Sequence, residues 1–353
     1  MVKKKKKTLP KNFDELIKAG KIKELKAVFD ECELDAYGGY GKGTALHFYD
    51  VPDKLVSWLV EQGADINAKD SYGRTPLYAQ ATIGSNTVEL LLKLGANIEA
   101  ADNSGETPLH IAAGFFRVKT VHCLIDRGAN VHVKNNSGQT PLSYALSRCQ
   151  NIDISNMADI AALLLNAGAK VTPDMTESVK RIGKDFEFHR ENFNKDYLAK
   201  TEAGLSKLYS IFKVEAIAKR RIHDGVSKIT VSAKGWQKQH NELWEFLVPS
   251  QGAAQTVQGE VIRITGRVSD EVYRNGGANW DSSYRKMLDA LLQHFASCAP
   301  LSAKELTEAA ELAAVIRPTG DADDEPDRLC ELAVKWVLAN PNPVLLGKPK
   351  YNR

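Results

Sequence analysis

The chain of 353 residues is long enough for two or three domains, and its 43% hydrophobic and 26% charged residues are those of an ordinary globular protein. The net charge of +3 sits in one place: without Lys3–Lys7 the rest carries −2, which argues against a basic nucleic-acid-binding surface and a specific nucleic-acid partner. No run of about 18 apolar residues occurs, so no membrane span is expected, and five scattered cysteines without a CxxC pair exclude a disulfide framework or a zinc cluster.

In chain order, residues 1–10 read as a disordered, Lys-rich, solubilising tail. The lysines have no apolar segment behind them, so this is no secretory leader, and a cytoplasmic location is expected. Phe13–Glu33 has helical spacing at Leu16, Ile17, Ile22, Leu25 and Val28. A phrase then recurs four times: Thr44-Ala45-Leu46-His47, Thr75-Pro76-Leu77-Tyr78, Thr107-Pro108-Leu109-His110 and Thr140-Pro141-Leu142-Ser143. Each is followed by a Gly-Ala pair, at Gly63, Gly95, Gly128 and Gly168. Thr caps a first helix, Pro fits its first turn, and Leu begins a buried seam. The glycine stands where a second helix ends in a left-handed residue. Ser71-Tyr72-Gly73, Asn103-Ser104-Gly105 and Asn136-Ser137-Gly138 supply tight turns between units. From Thr to Gly the first two units are the shortest, and the fourth has about seven extra residues, placed at Arg148–Asn156.

This period resembles the ankyrin repeat, a β-turn followed by two antiparallel helices. The resemblance implies a solenoid of about five repeats over residues 11–172, with Phe13–Glu33 a divergent capping repeat, stacked because no unit buries its own apolar face. It also implies protein binding without catalysis or a cofactor.

At Thr172-Pro173 the pattern changes. Val179, Ile182, Phe186, Phe193 and Tyr197 keep helical spacing, as do Leu205, Leu208, Tyr209 and Phe212. Trp236, His240, Leu243, Trp244 and Leu247 mark a helix ended by Pro249, and Val257, Val261, Ile264 and Val268 another, stopped at Asn275-Gly276-Gly277. Trp280–Phe295 continues the series, Ser302 with Glu305 makes a capping box, and Pro326 starts the last helix. Only Ile229-Thr230-Val231 reads as extended. The expectation is an all-α protein with an α-helical domain over residues 173–353. Blocks such as Gln239-His240-Asn241-Glu242-Leu243-Trp244 and Asn275-Gly276-Gly277-Ala278-Asn279-Trp280-Asp281 resemble a module of uncharacterised bacterial proteins, found alone and behind ankyrin repeats. That resemblance implies a bacterial source and a kinship with immunity partners of polymorphic toxins.

Two groups of residues stand out as candidate sites. Tyr72, Tyr78, Asn103, Phe115, Phe116, Arg117 and Asn135 lie at turn tips or depart from the repeat pattern; Phe116 stands where the family has Gly, as at Gly84. Aromatics and Arg dominate interface energetics, so these seven are the expected partner-binding set. In the second half, Arg263, Arg267 and Arg274 recur with Glu260 and Glu271 along one flank of a helix, and Asn279 and Asp281 follow. They read either as an anion or partner stripe or as a ladder of ion pairs. His223-Asp224 and His240 lack metal-ligand spacing, and the acidic run Asp321–Asp327 lacks the EF-hand pattern, so no metal is expected. The reading is a protein-binding immunity protein that occludes a cognate toxin and is not an enzyme. The alternative is an enzyme or a nucleotide- or phosphate-binding regulator whose site lies in the helical domain.

Overall fold

The computed structural model describes residues 4–351. It opens with strand β1 (Lys6–Thr8), helices α1 (Phe13–Ala19) and α2 (Ile22–Glu31), and strands β2 (Cys32–Gly38) and β3 (Gly43–Thr44). β2 is central in this sheet, parallel to β1 and antiparallel to β3. Residues 4–10 are therefore not the expected disordered tail. β1 covers the open edge of β2, Leu9 is buried and donates its N–H to Tyr37 O at 2.9 Å, and Lys6 pairs with Glu31 at 2.7 Å.

The repeats follow. A single 3-10 turn over Ala45–His47 precedes α3 (Asp53–Glu61). Then come the pairs α4 (Pro76–Ile83) and α5 (Thr87–Lys93), and α6 (Pro108–Gly114) and α7 (Val118–Asp126). The fourth pair is α8 (Pro141–Arg148) and α9 (Ile154–Asn166), with the extra residues between them in a 3-10 turn over Asn151–Asp153. Thr75, Thr107 and Thr140 each accept the N–H three residues on, capping α4, α6 and α8. The first of these repeats is trimmed most: Asp50 is left-handed at φ +55° and Val51 precedes Pro52, so its first helix stops after one turn. Leu46, Leu77, Leu109 and Leu142 are all buried in one continuous core.

That core continues past residue 173. Helices α10 (Pro173–His189) and α11 (Lys195–Phe212) bury Val179, Ile182, Phe186, Leu205, Leu208 and Phe212 in it. At Gly204 a Cβ would come within 2.8 Å of Ser155 Cα, so α11 lies directly on α9. One compact unit thus runs to Phe186 and includes Phe193–Ile217, and the other comprises Glu187–Asn192 with Ala218 onward. The expected boundary at residue 173 falls inside the first unit. Pro173 starts a helix that covers the last repeat.

The second unit is built on α13 (Val257–Asn275), packed by α12 (Trp236–Leu247), α14 (Ser282–Phe295) and α16 (Glu325–Ala339), with α15 (Ala303–Ile316) against α14 and α16. Its separate core includes Leu243, Val261, Ile264, Met287, Leu291, Phe295, Leu329 and Trp336. Arg220 donates to the carbonyls of Trp244, Glu245 and Val248, capping the C-terminus of α12, and stacks over Phe188 at 4.1 Å. Ile229–Val231 has no strand partner among the described residues; Ile229 is buried and donates to Pro341 O.

A truncation series tests the boundary. Residues 1–217 should unfold cooperatively in urea, whereas residues 1–172 should lose several kcal/mol of stability, since each large apolar side chain uncovered costs about 1.5–3 kcal/mol. Equal midpoints would return the boundary to residue 173.

Candidate functional site

The repeat turns form a row of stitched fingers. Asp70, Asp102 and Asn135 each use Oδ1 to accept the N–H groups two and four residues on. Neighbouring fingers join through Ser71 N to Gly41 O, Asn103 N to Tyr72 O, and Asn136 N to Ser104 O, at 2.9, 3.0 and 2.9 Å. His47 and His110 reach the next finger, with Nε2 on Arg74 O and Gln139 O. Burial is the main cause holding both imidazoles below their ordinary pKa. Arginines stitch the other edge: Arg117, Arg148 and Arg181 donate to Thr82 O, Gly114 O and Leu146 O, near the C-termini of the preceding first helices.

These bonds sort the expected partner-binding residues. Tyr72 is 43% exposed at its fingertip, with Arg74 4.5 Å over its ring, and Asn103 is exposed on the next finger. Phe115 is exposed under the Arg148 guanidinium, 5.2 Å away, and Arg117 lies at the surface. Phe116 is half-buried against the core in the left-handed conformation, at φ +57°, that the family gives to Gly. Tyr78 and Asn135 are buried, so the structure removes both from the contact set. The Tyr78 hydroxyl donates to Glu106 Oε2, which Tyr144 also reaches, and burial pushes the Tyr78 pKa up; Asn135 spends its side chain on its own turn.

Two exposed aromatics escape the sequence reading. Tyr40, 94% exposed, caps the first finger, whose Gly41 packs within 3.5 Å of the Tyr72 ring when given a Cβ. Tyr49, 64% exposed, sits in the trimmed repeat. Tyr40 lies just before the first, trimmed repeat and Tyr49 inside it, where the glycine-flanked Tyr40 was the only available signal.

A family model described as ankyrin repeats, three copies, matches residues 45–135 and 101–174. The N-terminal half carries ankyrin repeats. Such repeats mark a protein–protein interaction module, and the ankyrin family is generally not enzymatic. Comparison with curated proteins finds no match for the chain.

Beyond the ankyrin half, the expected arginine stripe comes apart. Arg263 is buried in an ion pair with Glu260, 2.6 Å apart, and the Tyr351 hydroxyl donates to the same carboxylate. Burial pushes the Glu260 carboxyl up, but the bonds and charge of Arg263 outweigh it and hold the pKa below the ordinary range. Arg263 therefore belongs to the core and offers nothing to a ligand. Asn279 gives its backbone and side-chain N–H groups to the buried Glu271, and Asp281 caps α14 through Ser283 N and Tyr284 N. Arg274 is 81% exposed and pairs with Asp270 at 3.0 Å. Arg267 and Arg274 do share an open cleft of about 1010 Å³, walled by Trp236, Asn241 and Trp244 of α12. Gly266 makes that wall possible, because a Cβ there would overlap the Trp244 ring.

His223 and His240 are held by hydrogen bonds within this unit. His223 bonds Ser227 O at 2.7 Å, and His240 bonds Thr265 Oγ1 at 2.9 Å. Among the described residues no three His, Cys, Asp or Glu side chains converge as metal ligands. Burial lowers the His240 pKa to about 4. Between its ordinary value near 6.5 and that value, the unfolded chain holds a proton that the folded chain does not, so stability should fall as pH drops through this window, by up to about 3 kcal/mol. Urea unfolding of wild type and His240→Gln from pH 7 to pH 4 measures it: the wild-type advantage should shrink on acidification. Parallel curves would contradict a neutral buried His240.

Proposed function

We propose that this protein captures a protein partner through the fingertips of its ankyrin repeats. The observation that carries this reading is the pair of tyrosines on adjacent stitched fingers, Tyr40 and Tyr72, both exposed on rigid backbone. Tyrosine supplies large amphipathic contact area at low conformational cost, and anchors of this kind carry most of an interface's energy. Phe115 with Arg148 and Arg117 extends the contact candidates along the next repeats.

The finer reading is an immunity protein acting in the cytoplasm by stoichiometric occlusion of a toxin. It rests on the resemblance of the C-terminal blocks to modules of the toxin-immunity type. The alternative, a phosphate- or nucleotide-binding regulator, loses its main support because Arg263 is consumed by Glu260 inside the core.

Affinity capture from the source cell, followed by mass spectrometry, should return one dominant protein partner. The double variant Tyr40→Ala with Tyr72→Ala should weaken that partner by at least about 2 kcal/mol, or roughly 30-fold. Its unfolding free energy should stay within about 0.5 kcal/mol of wild type, since both side chains are on the surface. For the immunity reading, co-expression should rescue growth of cells making the partner, and the double variant should not. Wild-type affinity in the double variant would remove the fingertips as the site.

A further inference from the structure

The cleft of the second unit has a chemistry of its own. One face of α12 presents Trp236, Gln237, His240, Asn241 and Trp244 to it, and α13 presents Arg267, Asp270, Glu271 and Arg274. Its volume of about 1010 Å³ lies at the top of the range for small-molecule clefts, roughly 300–1,000 Å³. Trp236 is half-buried and makes no hydrogen bond or ring contact among the described residues, so an indole face and its N–H are left to the cleft. Gln237 and Asn241 beside it are exposed amides, likewise unbonded among the described residues.

The charges decide which ligand suits. Two arginines face three carboxylates, Asp270, Glu271 and Asp327. Arg274 already pairs with Asp270, and the Tyr273 hydroxyl lies against the Asp327 carboxylate. Hydrogen bonds from Asn275 and Asn279 outweigh burial and keep Glu271 ionised. The lining is thus negative by one formal charge, which disfavours a phosphate or nucleotide. An aromatic wall with excess negative charge suits a planar cation, since the indole face is the best aromatic partner for a guanidinium. We propose that this cleft is a second recognition site, which takes an arginine side chain presented on a peptide segment. The guanidinium lies over Trp236 towards Asp327, and the flanking amides of the segment bond Gln237 and Asn241. The site lies outside the ankyrin unit, so fingertip variants leave it untouched and its failure is separable from theirs.

The test uses the full-length protein and acetyl-Gly-Arg-Gly-amide, followed by tryptophan fluorescence and calorimetry. Binding should saturate in the millimolar range or tighter and weaken as salt is raised. The citrulline analogue, which keeps the shape and loses the charge, should bind about tenfold more weakly. Trp236→Ala should cost a similar factor, Trp236→Phe should retain most of the affinity, and Asp327→Asn should weaken binding several-fold without altering the far-UV circular dichroism. Equal binding of the citrulline peptide, tighter binding of AMP or of acetyl-Gly-Glu-Gly-amide, unchanged affinity in Trp236→Ala, or no saturable binding would each overturn the proposal.

Discussion

Each ankyrin helix pair in this chain presents an apolar seam that its own two helices cannot cover, and the seam is satisfied only by the next pair. Leu46, Leu77, Leu109 and Leu142 recur at one structural position and are all buried, each between its own repeat and a neighbour. Stacking is therefore the condition on which the rest depends. It fixes the fingers in a stitched row, aligns the arginines that bond carbonyls of the preceding repeat, and leaves an open face after the last repeat. Helices α10 and α11 close that face, which is why the first unit extends to Ile217.

The same constraint shapes the proposed recognition surface. Polar side chains that look available in the sequence are spent on holding the fingers: Asp70, Asp102 and Asn135 close the turns, and His47 and His110 bridge to the following one. Tyr40 and Tyr72 remain exposed on this backbone among small polar residues such as Ser71, Asn103 and Ser104. A surface so preorganised loses little entropy on binding. The second unit spends its charges similarly, with Glu260, Arg263 and Tyr351 locked together inside it.

Much of the ankyrin half was legible because its signals are local and repeated: a capping Thr, a Pro in the first turn, a buried Leu, a glycine after the second helix. The helices of the second unit were legible from periodicity together with caps and breakers such as Ser302 with Glu305, Pro249 and Pro326. What stayed hidden depended on contacts distant in sequence. A three-residue strand is too short to show a pattern, so the pairing of Lys6–Thr8 with β2 could not be seen behind the lysines. The seam of α10 says that the helix is amphipathic and does not say which core it joins. The spacing of Glu260 and Arg263 is the same for a surface ladder and a buried pair, and only the packing of α13 decides. Tyr78 stands where other repeats have His, and its burial follows from reaching Glu106 in the next repeat.

The central claim is that the ankyrin fingertips make the protein contact. Hydrogen–deuterium exchange of the full-length protein, alone and with its captured partner, measures this most directly. The account predicts new protection concentrated at residues 37–49, 70–74 and 102–106, with the second unit largely unchanged. Protection confined to residues 218–351, with the fingers exchanging as in the free protein, would contradict it.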